Sequence, residues 1–202
     1  MRSVVLIRSF IFALLACISH LSDATEIQRG HILVANEALS DPNFDSSVVL
    51  IIGHSNIGTL GLILNRPLGG DRDFPVPEKY DRLFSQTPRH FGGPVQVSGL
   101  RVLVNSAFTL PNSIHVTDSV YFLDNPSAID YLLEEPGVLE EARLFRGISS
   151  WIPGQLAAEI SAGAWYVTDA DSNLVFSDSS DMWERLITKI HAKWVNISRT
   201  ED

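Results

Sequence analysis

The sequence predicts a single α+β domain, in which a largely antiparallel or mixed β-sheet is accompanied by a few short helices. Its 202 residues, of which 45% are hydrophobic, suit one domain that buries a core without disulfide bonds. Short runs of aliphatic and β-branched residues, which are typical of strands, dominate the first half of the chain. Helical periodicity is confined to short segments. Strands and helices do not alternate regularly, which argues against a βαβ fold.

The first 24 residues are predicted to be a signal peptide. Basic residues precede an apolar run at residues 9–18, which is too short to span a bilayer comfortably, and small residues end the segment. Cleavage is expected after Ala24, so residues 25–202 would form the single mature domain, in the periplasm or outside the cell.

Two alternatives for this segment stay open. Residues 14–17 form an imperfect lipobox, and lipidation of Cys17, the only cysteine in the sequence, would hold the protein on a membrane. An uncleaved segment would instead be a buried first element of a cytoplasmic protein.

The formal net charge of the chain is −9 at pH 7. An acidic surface repels phosphate backbones, and the sequence has no basic stripe that would offset this repulsion, so direct nucleic-acid binding is not expected. The sequence also lacks paired cysteines, a His-x-x-x-His pattern and a phosphate-binding glycine motif. Neither a metal site nor a cofactor is therefore predicted.

Strands are predicted at residues 30–36, 47–52, 58–65, 100–105 and within 116–123. The second and third are separated by a polar turn at residues 53–56, a spacing that predicts a β-hairpin. Residues 68–89 are polar and rich in glycine and proline, which predicts a long loop with a short helix near residues 80–84.

The second half of the chain carries the predicted helices. Asn125 would be the N-cap of the first helix, which Pro136-Gly137 would end. A strand at residues 143–148 then leads into the turn Trp151–Gln155 and a short amphipathic helix, which Gly163 would terminate.

The end of the chain is predicted to contain a hairpin and a long helix. Two β-like runs, at residues 165–168 and 174–176, flank an Asp-Ala-Asp-Ser-Asn turn. In the last helix, Asp181 and Glu184 have capping-box spacing, and the tail after Val195 is expected to fray. Its apolar residues recur at helical period and predict a stripe that packs on the core: Trp183, Leu186, Ile187, Ile190 and Trp194.

Several blocks in a fixed order give the chain a resemblance to a known family. The blocks are Asp41–Ile51, Gly58–Pro67 with Leu-Asn-Arg-Pro at its end, Phe91–Val95 (Phe-Gly-Gly-Pro-Val), Trp151–Leu156 with Pro-Gly-Gln-Leu, and the tryptophans Trp165 and Trp183. With them, the sequence resembles the YqgE/AlgH family of bacterial proteins over nearly the whole predicted domain. The resemblance implies an α+β fold of coiled, bifurcated sheets with a few helices. It implies no defined reaction, although the AlgH name reflects an association with the regulation of alginate production.

The best candidates for a ligand-binding site are polar and glycine residues: Asn65, Arg66, Gly92, Gly93 and Gln155. Asparagine and glutamine offer donors and acceptors, arginine offers a fork for anions, and glycines let the backbone approach a ligand. The alternative is structural, in which Asn65 and Arg66 end a strand and Gln155 satisfies backbone groups at a helix start.

The enzymatic alternative is a hydrolase site assembled from Ser55, His54 or His90, and Arg66. Ser55 lies in a near miss for a nucleophile elbow, because Ile57 stands where that turn needs glycine. No catalytic constellation is evident, so we predict a non-enzymatic binding or regulatory protein that acts through an unknown protein partner in the bacterial envelope. A cytosolic AlgH-like transcriptional regulator is a third hypothesis.

Overall fold

The computed structural model describes residues 26–69, 77–134 and 141–200, with side chains up to residue 193. The predicted signal peptide, Cys17 and the predicted helix end at Pro136-Gly137 lie outside the described residues, as does the side chain of Trp194. The strands are β1 (His31–Ala35), β2 (Val48–Ser55), β3 (Gly58–Ile63), β4 (Arg89–Phe91), β5 (Val95–Asn105), β6 (Ile114–Thr117), β7 (Val120–Leu123), β8 (Ala142–Trp151) and β9 (Trp165–Asp169).

Within the described residues these strands form one sheet, in the order β6-β7-β5-β8-β3-β2-β1-β9, with β4 beside β8. The long strand β8 is shared by the two halves of the sheet. Its residues up to Ile148 pair with β5 and β4, whereas Ser149–Trp151 pair with β3. The β4–β8 pairing is parallel and the other pairings among the described strands are antiparallel, so the predicted mixed, bifurcated sheet is confirmed.

The predicted strands of the first half are confirmed with changes of boundary. The β2–β3 hairpin forms, but β2 continues to Ser55, so that only Asn56 and Ile57 connect the two strands. The segment predicted within residues 116–123 forms a hairpin of the two strands β6 and β7. The tight turn between these strands is made possible by the positive φ of Asp118, which is 41°.

The helices are α1 (Asp81–Gln86), which follows a 3-10 turn at Glu78–Tyr80, α2 (Pro126–Glu134), α3 (Gln155–Ser161), α4 (Ser172–Val175) and α5 (Met182–Thr200). The predicted loop at residues 68–89 therefore contains α1, close to the short helix expected there, and the start of β4. Asn125 caps α2 as predicted, because its Oδ1 accepts a hydrogen bond of 2.9 Å from the backbone N–H of Ala128. Gly163 follows the C-cap residue Ala162 of α3 and has a φ of 79°, as a helix-terminating glycine should.

The predicted hairpin of residues 165–168 with residues 174–176 is wrong. β9 pairs with β1 instead, and the second run forms the single turn of α4. The reason is local, because the side chain of Asp171 accepts a hydrogen bond of 2.7 Å from the backbone N–H of Leu174 and thereby caps a helix. Val175 is then buried in the same cluster as Met182 of α5.

The helices cover different parts of the curled sheet. Helix α5 packs on it through its predicted apolar stripe, of which Leu186 and Ile187 are buried. Helices α1 and α2 cover β5 and β7, and α3 packs through Leu156 against β1 and β2. None of the helices in the described part has the length and apolar character that crossing a membrane requires.

Candidate functional site

A cavity of about 520 Å³ lies between the α1–β4 segment, β8 and the loop before α5. Its lining comes from residues 67–68, 84–90 and 178–179, together with Arg143 of β8. We call it the Arg143 pocket. Its volume is within the range of sites that hold small molecules.

Three polar atoms around this pocket are buried and have no hydrogen-bond partner: Thr87 Oγ1, His90 Nδ1 and Arg143 Nη1. The three residues are only 5%, 3% and 7% exposed. In the described ranges, no other buried side-chain nitrogen or oxygen lacks a partner. Folded proteins pair nearly all such atoms, so three unpaired atoms on the walls of one cavity make this pocket the candidate site of the chain.

Arg143 is the charged group of this set. Its Nη2 donates a hydrogen bond to the carbonyl oxygen of Ser177, and its guanidinium lies 5.8 Å from the ring centroid of Phe176. Burial lowers the pKa of the guanidinium, whereas the exposed carboxylate of Asp178 raises it. Because the Nη1 side has no acceptor, Arg143 is a buried cation that is only partly compensated.

Arg101 shows that this chain can supply acceptors to both terminal nitrogens of a buried guanidinium. Arg101 is 6% exposed, and its Nη1 donates to the carbonyl oxygens of Gln96 and Gly99, both at 3.0 Å. Its Nη2 donates to Gln96 Oε1 at 2.8 Å. The irregular segment between Val95 and Leu100 supplies these acceptors. The open Nη1 of Arg143 is therefore a property of its pocket rather than of buried arginines in this fold.

His90 reaches the pocket from β4, where its ring lies 5.5 Å from the ring of Phe145. Burial lowers the pKa of His90 to about 4, and the positive charge of Arg143 contributes to the same shift. The imidazole is therefore neutral at pH 7, with one nitrogen that donates and one that accepts.

Two of the residues predicted to bind a ligand, Asn65 and Arg66, are engaged inside the chain. Asn65 Oδ1 accepts from the backbone N–H of Val48, and Asn65 Nδ2 donates to the carbonyl oxygen of Ser46, both at 2.8 Å. The guanidinium of Arg66 donates to three carbonyl oxygens of the loop before β2, at 2.7, 2.9 and 3.4 Å. Both side chains fasten that loop to the end of β3.

Gly92 and Gly93 lie where the chain between β4 and β5 passes close to β8. A Cβ atom on Gly92 would lie 2.5 Å from the carbonyl oxygen of Gly147, and one on Gly93 would lie 2.3 Å from the backbone of Ile148. The backbone N–H of Phe91 donates to the carbonyl oxygen of Arg66 at 2.8 Å. The structure therefore brings these glycines next to the Asn65–Arg66 segment.

Gln155 lies elsewhere, at the start of α3. Its Oε1 accepts from the backbone N–H of Ile152 at 3.2 Å, and its Nε2 donates to Glu159 Oε1 at 2.9 Å. Glu159 Oε2 also accepts from the indole nitrogens of Trp151 and Trp165, at 2.9 Å each. Gln155 thus supports a cluster around the two tryptophans, and ligand binding by the five predicted residues stays a prediction.

The residues of the hydrolase hypothesis are not assembled. His54 and Ser55 lie at the tip of the β2–β3 hairpin, where His54 Nδ1 is 2.7 Å from Thr59 Oγ1. Arg66 lies beyond the opposite end of β3, about 25 Å away along an extended strand. His90 lines the Arg143 pocket. The described residues also contain no group of three or more His, Cys, Asp or Glu side chains placed to hold a metal ion.

Sequence reasoning does not identify Thr87 and Arg143 as site residues. Arg143 does carry a signal, because alternate residues of a strand share a face and this places its charge beside Phe145. A charged residue at such an apolar position needs an explanation. Thr87 offers no comparable signal, since it lies in a segment predicted to be a loop.

The AlgH-like family model, DUF179, matches residues 32–195. The chain belongs to the AlgH-like family. The UPF0301 protein CT0663 of Chlorobaculum tepidum is 35% identical to this AlgH-like protein over 167 residues, which cover 80% of this chain and 86% of that relative. A UPF0301 protein of Chlorobium luteolum is also 35% identical, over 80% of this chain and 85% of the relative.

Two solved structures share the fold of this AlgH-like protein. Protein DIP2367 of Corynebacterium diphtheriae has a TM-score of 0.67 and 27% sequence identity, and the match covers 81% of this chain and 87% of that one. The solution structure of the AlgH protein of Pseudomonas aeruginosa has a TM-score of 0.62 and 25% identity, over 85% and 92% of the two chains. The predicted family and fold class are thereby confirmed. These names state no reaction.

Proposed function

We propose that this AlgH-like protein is a non-enzymatic binding protein with a regulatory role, which takes a small molecule into the Arg143 pocket. The observation that carries the proposal is the set of three unpartnered buried atoms around one cavity. An unpaired N–H of a buried cation costs free energy, and a ligand that accepts a hydrogen bond from Arg143 removes that cost. The separation of Ser55 from Arg66 supports binding over hydrolysis.

A thermal-shift screen of a small-metabolite library against three proteins tests the binding site. We expect at least one compound to raise the melting temperature of the wild type, by several degrees at about 100 times its Kd. Arg143→Met should abolish this rise, because methionine fills much of the same space without a donor. Arg101→Met should keep it, because that buried arginine lies outside the pocket.

The unliganded variants provide the control for stability. Arg143→Met is expected to change the unfolding free energy by less than about 1 kcal/mol, since a partly compensated buried charge is often replaced by an apolar side chain without loss. Arg101→Met should destabilise by about 2 kcal/mol, because it removes three guanidinium hydrogen bonds of a residue that is only 6% exposed. A screen in which no compound distinguishes Arg143→Met from the wild type would overturn the proposed binding function.

The proposal includes export to the bacterial envelope and a protein partner there, supported by the signal-peptide pattern of residues 1–24. We expect the intact mass of the protein purified from the native host to equal that of a chain that begins at Thr25. A lipidated protein that begins at Cys17 would also belong to the envelope. A protein in the soluble cytoplasmic fraction whose mass equals that of the chain from Met1 would overturn export and favour the cytosolic regulator instead.

A further inference from the structure

We infer that the ligand of the Arg143 pocket is a small molecule with one carboxylate group on an apolar body. This inference rests on the proposed binding function and adds the chemical class of the ligand. Three properties of the pocket support it, which are the charge of its buried side chains, the type of its unpaired hydrogen-bonding atoms and the character of its other walls.

The charge of the walls favours a monoanion. Arg143 is the buried charged group of the walls, since His90 is neutral. The carboxylate of Asp178 is exposed to solvent, which weakens its attraction for the guanidinium, and Arg143 Nη1 has no acceptor. A single carboxylate supplies an anionic acceptor to this cation, whereas a phosphate dianion would be repelled more strongly by Asp178.

The unpaired atoms match a carboxylate in hydrogen bonding. A carboxylate only accepts, and its two oxygens offer about four acceptor positions. Arg143 Nη1 and the Thr87 hydroxyl group are donors, and His90 Nδ1 becomes a third donor in the tautomer that carries its proton there. Hydrogen bonds between a guanidinium and a carboxylate are among the strongest in proteins, so Arg143 would be the main contact.

The remaining walls suit an apolar body. Pro67, Leu68, Phe84 and Pro88 line the same cavity, which has a volume of about 520 Å³. This volume leaves room for a body of roughly six to ten carbon atoms beside the carboxylate. Burial of such a body contributes about 0.8 kcal/mol for each methylene group removed from water.

Titration calorimetry with octanoate and octanamide tests the inference, because the two probes share the same body and differ in charge. We expect octanoate to bind the wild type and octanamide to bind at least about tenfold more weakly, since a hydrogen bond to a charged group contributes about 1.5–3 kcal/mol. Arg143→Met should lower the affinity for octanoate to that for octanamide. Thr87→Val, which replaces the hydroxyl group by a methyl group, should lower the affinity for octanoate severalfold. This second variant keeps the inference testable if Arg143→Met fails to fold.

Inorganic phosphate and the metabolite screen separate the outcomes. Equal binding of octanoate and octanamide, or tighter binding of phosphate than of octanoate, would overturn the carboxylate class. If octanoate fails to bind while a compound without a carboxylate group binds in an Arg143-dependent manner, the carboxylate inference is overturned and the binding function stands. If the binding of no compound depends on Arg143, the binding function and the carboxylate inference are both overturned, and the unpaired atoms of Thr87, His90 and Arg143 are satisfied by water.

Discussion

Gly147→Ala is expected to destabilise the protein by at least about 4 kcal/mol or to prevent its folding, because it combines a backbone clash with a disfavoured backbone conformation. Gly147 has a φ of 74° in the middle of β8. A Cβ atom at this position would lie 1.9 Å from the carbonyl oxygen of Gly93. The clashing atom belongs to the backbone of Gly93, which is held in place because β4 before it and β5 after it both pair with β8. No movement of a flexible side chain can therefore relieve the clash.

Gly53→Ala is the matched control for this substitution. Gly53 also lies in a strand, but a Cβ atom there would have no neighbour within 4 Å. Its replacement should leave the unfolding free energy within about 1 kcal/mol of the wild type. Urea titrations followed by tryptophan fluorescence, together with the soluble yield of each variant, provide the comparison. A Gly147→Ala protein as stable as Gly53→Ala would contradict the close passage of the two backbones.

This close passage explains why the sheet divides at this point. Beyond Ile148, the residue after Gly147, β8 changes partner from β5 to β3. Gly93 is the residue at which the chain between β4 and β5 passes Gly147. The sequence predicts a close backbone approach at Gly92 and Gly93, and such an approach occurs. Its partner is the chain's own backbone, and glycine alone does not distinguish this from approach to a ligand.

Features with local causes were predictable from the sequence. The β2–β3 hairpin depends on two adjacent β-rich runs and a short polar turn, and the start of α2 depends on the Asn125 cap. The run at residues 174–176 shows the limit of such reasoning, because three apolar residues fit either a strand or one helical turn. The N-cap of Asp171 and the burial of Val175 stabilise the helical turn.

The Arg143 pocket was not predictable, because its walls come from distant parts of the chain. Thr87 and His90 meet Arg143 only through the parallel pairing of β4 with β8, and Asp178 joins them from the loop before α5. Short parallel strands leave no pairing signal in the sequence between them. The unpaired atoms are also defined by what surrounds them, which no single segment reveals.

The unfolding free energy is expected to fall by up to about 3 kcal/mol as the pH decreases from above 6.5 to 4, on account of His90 alone. The pKa of this imidazole is 6.5 in the unfolded chain and about 4 in the folded protein. The unfolded state therefore binds more protons between these values, so stability is fully present above pH 6.5 and is lost as the pH falls towards 4. Arg89, Arg143 and Asp178 line the same pocket.

Urea titrations near pH 7.5 and pH 4.5 on the wild type and on His90→Asn isolate this contribution, because the acidic residues titrate in both proteins. The variant should show a pH dependence smaller by about 2–3 kcal/mol, and equal dependence in the two proteins would contradict a buried neutral His90. An NMR titration of the ring in Arg143→Met separates the causes of the shift. Burial persists in that variant while the charge is gone, so the pKa of His90 should rise only part of the way towards 6.5.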